Sequence, residues 1–314
     1  MAGVGRTLVT LGLLLLLFVV YQLWGTGVLT ARAQDDLEDE FARLKADVAT
    51  TTSTTTTSSS TTSTSAPATT TTEPDPTVGA PVPAGLPPIG AGDALGRIRI
   101  PKIGVDWVFV QGTSRADLRK GPGHYPDTPI PGQIGNAAIA GHRTTYGAPF
   151  YRLDELEPGD EIEVETLTGA YTYEVRELLV VAPTAVEVVR NTPNAQLTLT
   201  TCHPRHSARQ RLVAVADLVE ETSDPPIRPG RIDAIEQPAR RPIDDGLVEG
   251  LQGDPAGRGI TLASGIVVAV VGLAWWWGFR RWRYPATWVA GGLPFLAVLT
   301  IFYYHLERLL PAGY

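Results

Sequence analysis

Residues 196–211, Q-L-T-L-T-T-C-H-P-R-H-S-A-R-Q-R, decide how this chain is read, because they carry the only cysteine among its 314 residues. Leu197 and Leu199 alternate with Thr198 and Thr200, the period of two expected of a strand with one buried face. The same count puts Cys202 with the threonines, opposite the leucines. Pro204 has no N–H to give a ladder, so the strand is expected to stop near it and present the thiol at its end. A thiol on a rigid element beside an open loop is a candidate nucleophile.

Working outward, strand patterns recur in residues 96–104, 105–111, 136–142, 161–165, 170–182 and 212–219. Turn residues separate them, P-G-D at 158–160 and T-G-A at 168–170 among them, while residues 121–135 are rich in Gly and Pro and read as loop. Single helical turns are expected at 115–120 and 185–189. Seven or eight short strands with so little helix point to a mainly β fold, a closed barrel or a sandwich. By parity His142 shares a face with Ala138 and Ala140, whose small side chains leave room around the imidazole.

The flanks are different. Residues 8–24, 260–279 and 286–304 are apolar enough to read as three transmembrane helices, and Arg280, Arg281 and Arg283 mark the loop between the last two as cytoplasmic. The first run has two readings, a retained span or a signal peptide cleaved near Ala31-Arg32-Ala33. Retention gives a multi-pass protein of the cell membrane with residues 30–255 outside. Residues 34–49 place Leu37, Phe41, Leu44 and Val48 on one helical face, and their acids read as a solvated surface. Residues 50–72 are almost wholly Thr and Ser, which reads as an extended stalk lifting the next domain off the bilayer. The expected divisions are 1–29 (cytoplasmic tail and first span), 30–91 (helix and linker), 92–220 (folded domain), 221–259 (second linker) and 260–314 (transmembrane hairpin).

A net charge of −7 and a pI near 5.3 argue against nucleic acid as a partner. A lone exported cysteine cannot close an internal disulfide, so Cys202 is spare, intermolecular or reactive. Thiol catalysis needs a proton carrier and a stabiliser for the developing oxyanion, and Cys202, His142 and Arg211 are the minimal set. Each has an ordinary alternative: a structural thiol, a core or surface histidine, a solvated arginine beside Arg205 and Arg209. His203 neighbours the thiol but points to the opposite face. A zinc site from Cys202, His203 and His206 lacks a second cysteine, and Asp154, Glu155, Glu157 and Asp160 read equally as a calcium site or a solvated acidic turn. No cofactor or metal is expected.

T-L-T-T-C at 198–202, A-G-H-R at 140–143 and R-L-V-A-V-A at 211–216 resemble the three signature blocks of the sortases, cysteine transpeptidases anchored at Gram-positive cell surfaces. The resemblance implies an eight-stranded β-barrel over residues 92–220, with Cys202 as nucleophile, His142 as general acid and base, and Arg211 holding the oxyanion or the substrate. G-P-G-H-Y-P at 121–126 and G-H-R-T-T-Y-G-A-P-F at 141–150 are most similar to class E, in which a tyrosine matched by Tyr125 goes with a Leu-Ala-x-Thr-Gly signal rather than Leu-Pro-x-Thr-Gly. Tyr125, Thr200 and Thr201 are the candidate substrate contacts. Partners so implied are secreted proteins bearing a C-terminal sorting signal, a peptidoglycan amine and the lipid bilayer. The C-terminal hairpin lies outside the family pattern. The competing readings are another cysteine transpeptidase or peptidase of peptidoglycan, against which stands the absence of Gly before Cys202, and a non-catalytic surface assembly or binding module.

Overall fold

The structure is a computed structural model describing residues 2–55, 88–227, 257–279 and 285–309. It divides into two units, one of residues 27–249 and one of residues 1–26 with 250–314.

In the first unit eight strands close a barrel in the order β1-β2-β3-β4-β7-β8-β6-β5. They are β1 (Ala94–Ile100), β2 (Val105–Gln111), β3 (Gly123–His124), β4 (Gly135–Ala140), β5 (Glu161–Thr166), β6 (Gly169–Val181), β7 (Ala195–His203) and β8 (Gln210–Leu218). The β2–β3 and β4–β7 pairs are parallel and the rest antiparallel. Alternate residues turn inward, as the apolar pattern requires. Ile98, Phe109, Ile139, Ile162, Tyr173, Leu197, Leu199 and Ala214 meet in one core in which each is wholly buried.

Three expectations need correction. Residues 121–135, read as loop, contain β3, two residues too short to show a period yet needed to bridge β2 and β4. The chain also does not leave the barrel at residue 220. Ile227 is buried, its N–H donates to Gly132 O (2.8 Å) and its C=O accepts from Ile134 N–H (2.9 Å), so the folded domain reaches that residue. The rest of the second linker lies outside the described residues.

The helix read at 34–49 is longer, α2 (Thr26–Thr55), and its apolar stripe is not left in solvent. Leu37 and Phe41 are buried against Ala94, Val108 and Val110 on the outside of the barrel. Two of its acids reach the barrel as well: Glu38 pairs with Arg97 (3.3 Å), and Glu40 Oε1 accepts from Ala94 N–H (3.3 Å), while Asp35, Asp36 and Asp39 are exposed as expected. Lys45 pairs with Glu165. Residues 50–55, read as the start of a stalk, are its last turns, and residues 56–72 lie outside the described residues.

The second unit contains α1 (Ala2–Val20), a π turn (Tyr21–Gly25), α4 (Arg258–Phe279) and α5 (Pro285–Leu309). Tyr21, Leu299 and Tyr303 form its buried centre, and Tyr303 O–H donates to Leu14 O (2.6 Å), so the first apolar segment packs on the C-terminal pair. Among the described residues one stretch, Arg258–Gly278, is long and apolar enough to cross a membrane, and Gly292–Leu306 is a shorter apolar helix. Of the three spans expected, one therefore meets both criteria of length and composition.

Candidate active site

Three neighbouring strands converge at one rim of the barrel. In the antiparallel β7–β8 ladder Cys202 stands directly opposite Arg211. On the other side of β7, Ala140 stands opposite Thr200 in parallel register, and Gly141 N–H donates to Thr200 O (3.0 Å). Continuing that register brings His142 level with Cys202. Directly paired residues project from the same face, and for these three it is the outer face, since Leu197 and Leu199 point into the core.

The approach to His142 is tight. Gly141 lies under the ring of Phe150, where an added Cβ would come within 2.5 Å of the ring. The chain then turns back on itself, with Phe150 N–H donating to His142 O (3.2 Å). Tyr146 adopts a left-handed φ of 54° inside this loop, which is costly for a bulky side chain. Its ring packs on the imidazole at 4.9 Å between centroids. Thr145 Oγ1 lies 3.5 Å from His142 Nδ1.

The electrostatics push both groups toward neutrality. Burial, with Arg119 and Arg115 nearby, lowers the His142 pKa to about 4. Burial raises the Cys202 thiol, opposed by the positive charges of Arg211 and Arg143. Arg211 is half-buried and donates to the carbonyls of Ala208 and Gln210 (3.2 Å each); among the described residues no carboxylate pairs with it.

The remaining candidates separate. Tyr125 and Thr200 come together on the outer face, their hydroxyls 3.0 Å apart. Tyr125 packs there with Ala138, Ala140 and Val189 in one buried apolar cluster. Thr201 is turned the other way. It is buried, and its hydroxyl donates to Gly141 O (2.8 Å), tying β7 to β4 beneath the site. The acids of 154–160 are held by cations: Asp154 by Arg143 (2.8 Å) and Arg205 (2.9 Å), Glu155 by Arg152 (2.7 Å), and Asp160 by Lys102 (3.4 Å).

Arg143 was not singled out from the sequence. It is 3% exposed, its Nη1 donates to Cys202 O (3.2 Å) and lies 3.1 Å from His203 Nδ1, and it thereby braces the end of β7 from behind. Its place directly after His142 was the available signal, since adjacent residues face opposite ways and a buried guanidinium must find acceptors. His124 is wholly buried. Its Nδ1 lies 2.9 Å from Gln111 Oε1 and its Nε2 2.8 Å from Pro129 O, pinning the loop that carries Tyr125.

Residues 98–219 match the family model described as the sortase domain. The chain carries a sortase domain. It is 32% identical over 249 residues to Sortase SrtE1 of Streptomyces coelicolor, covering 74% of this chain and 60% of that one. To Sortase D of Bacillus subtilis it is 37% identical over 114 residues, 36% of this chain and 56% of that one. It thus spans somewhat over half the length of these curated relatives. Among solved structures it is similar to Sortase E1 of Streptomyces coelicolor with a tripeptide in the active site, at 32% identity over 43% of this chain and 91% of that one, with a TM-score of 0.40. Sortase E of Streptomyces avermitilis is similar at 36% identity over 43% and 92%, with a TM-score of 0.39. The sortases are cysteine transpeptidases, and the class E relatives recur among these matches.

Proposed function

We propose that this chain is a membrane-anchored class E sortase that cleaves a C-terminal Leu-Ala-x-Thr-Gly-like signal between Thr and Gly and transfers the protein to a peptidoglycan amine. The observation that carries this reading is the register of three adjacent strands, which pairs Cys202 with Arg211 and Ala140 with Thr200 and so supports His142, two residues past Ala140, as the neighbour of the thiol. Cys202 gives its proton to His142 as sulfur attacks the Thr carbonyl carbon, and the oxyanion so formed lies within reach of Arg211. The imidazolium returns the proton to the departing Gly nitrogen, leaving a thioester on Cys202. An amine then attacks the thioester, His142 takes its proton, and the thiol is restored as the new amide forms.

Tyr125 and Thr200 are assigned to the substrate. Their linked hydroxyls, beside the alanines of β4, support a small residue at the second signal position. Thr201 is assigned a bracing role beneath the site. The apolar helix over Arg258–Gly278 supports residence in the membrane, and the sequence pattern of the three apolar runs is what argues for a multi-pass chain with residues 280–283 inside and the barrel outside. The other boundaries are kept as proposals, with the barrel domain extended to Ile227 and α2 docked on it. Confinement with membrane-held substrates raises their effective concentration at the enzyme.

The test is the full chain in detergent with a Leu-Ala-x-Thr-Gly peptide and an oligoglycine acceptor. Cleavage after Thr, faster with the amine and absent in Cys202→Ala, supports the reading. Turnover retained by Cys202→Ala would remove it. A preference for Pro at the second position would reject only the signal assignment.

A further inference from the structure

β3 is too short to cover the edge of β2. It meets Val110 and Gln111, while the N–H and C=O of Val108, which belong to the same edge, are left to another partner. That partner is Gln34 of α2. Its Oε1 accepts from Val108 N–H and its Nε2 donates to Val108 O, both at 2.9 Å, so one carboxamide does the work of a strand neighbour. The same Nε2 also reaches Lys120 O (2.9 Å), and one turn earlier Thr30 Oγ1, fully buried, donates to Arg119 O (2.9 Å). Gly121 is required by this approach, because a Cβ there would come 2.4 Å from Gln34 Nε2.

The turn so gripped leads to the site. Arg119 Nε donates to Tyr146 O–H (3.1 Å), with its guanidinium 5.7 Å from the centre of that ring, and the Tyr146 ring lies on His142. One hydrogen bond from α2 therefore fixes the carbonyl of Arg119, whose side chain holds the tyrosine that backs the imidazole, and a second fixes the carbonyl of the next residue, Lys120. The charges acting on His142 come from this same segment, Arg119 and Arg115 beside α3 (Arg115–Leu118).

We infer that α2 is a working part of the site: Thr30 and Gln34, acting through Arg119 and Tyr146, position His142, so that docking of this helix sets how well the acid is aimed. Resting on the assignment of His142 as proton carrier, the inference makes Thr30, Gln34, Arg119 and Tyr146 positioning residues with no contact to substrate. A helix that merely stabilised the barrel would alter melting temperature and leave the chemistry of the folded fraction alone. A positioning helix changes kcat and the titration of His142.

The experiment uses the full chain in detergent, with Thr30→Val, Gln34→Ala and Tyr146→Phe singly and Gln34→Ala combined with Tyr146→Phe. The expected result is a roughly ten- to hundredfold fall in kcat with little change in KM. The double variant should be no worse than the poorer single, because the two act in one chain of contacts. Thr30→Ser should restore kcat. In parallel, the imidazole resonances of isotopically labelled histidine, assigned with His142→Gln, should show the His142 titration displaced upward in all three singles. The inference is overturned if hydrogen exchange shows α2 released in Gln34→Ala while kcat, the pH profile and the His142 titration stay as in wild type. The resonance readout separates this from failure of the function itself: a chain that turns over no signal peptide, or a His142→Ala variant that keeps turnover, removes the reaction, and the imidazole still reports whether α2 is coupled to it.

Discussion

At Cys202 and His142 burial acts in one direction, raising the thiol and lowering the imidazole to about 4, so the resting pair is neutral and its reactive ionic form is a small fraction. That fraction is constant between the two apparent pKa values. It falls below the lower one, where the thiol cannot ionise, and above the upper one, where the acid is lost. The expected kcat/KM profile is therefore flat from about pH 5 to 8, and a limb near pH 6.5 would contradict the assignment. Arg211 bears on a different quantity, the charge of the oxyanion. Arg211→Ala should lower kcat roughly a hundred- to a thousandfold, and Arg211→Lys should recover part of it, measured by peptide cleavage. At this scale the parity of two flanking residues was enough to place Cys202 opposite Leu199 and His142 with Ala140. The same parity puts Thr201, read as a substrate contact, on the inward face with Leu197 and Leu199, and Arg143 escaped because what it touches, Cys202 O, lies across a strand boundary that local periodicity does not encode.

At the scale of elements, β2 and β6 were legible because they run for seven and thirteen residues, long enough for an apolar pattern to show. β3 was not, having two. Its loop is held by His124, whose burial depresses the imidazole to about 4. The unfolded chain takes up that proton near the ordinary value of 6.5 and the folded one does not, so stability present above pH 6.5 is lost as the pH falls toward 4. The share of His124 is roughly 3 kcal/mol, seen as a falling melting temperature; His142, depressed to the same value, adds a like share, so His124→Gln should remove about half of the dependence over that window. For α2 the apolar spacing of Leu37 and Phe41 was readable but its destination was not, since a stripe names no partner. Phe41→Ala removes a buried ring from that interface and should weaken docking by about 3 kcal/mol, read as loss of hydrogen-exchange protection in α2 while β7 and β8 stay protected.

At the scale of the whole molecule, the sequence of attachments along the chain changes the meaning of the Thr/Ser run. Leu37 and Phe41 before it and Ile89 and Ala94 after it are all buried in the barrel unit. The run therefore joins two segments already fixed to one body, the barrel unit. Deleting residues 56–72 should leave cleavage of a membrane-tethered substrate unchanged and alter folding stability by under about 1 kcal/mol. A stalk that governed reach would make the same deletion abolish it.

The central claim is that a sulfur at the end of β7 takes the acyl group. Mass spectrometry of the full chain quenched in acid during turnover of a Leu-Ala-x-Thr-Gly peptide, without added amine, tests it most directly. The account predicts an adduct with the mass of the peptide through Thr, mapped to Cys202, discharged by hydroxylamine or oligoglycine and absent in Cys202→Ala. Peptide cleavage with no adduct on Cys202 at any quench time, and undiminished in Cys202→Ala, would contradict it.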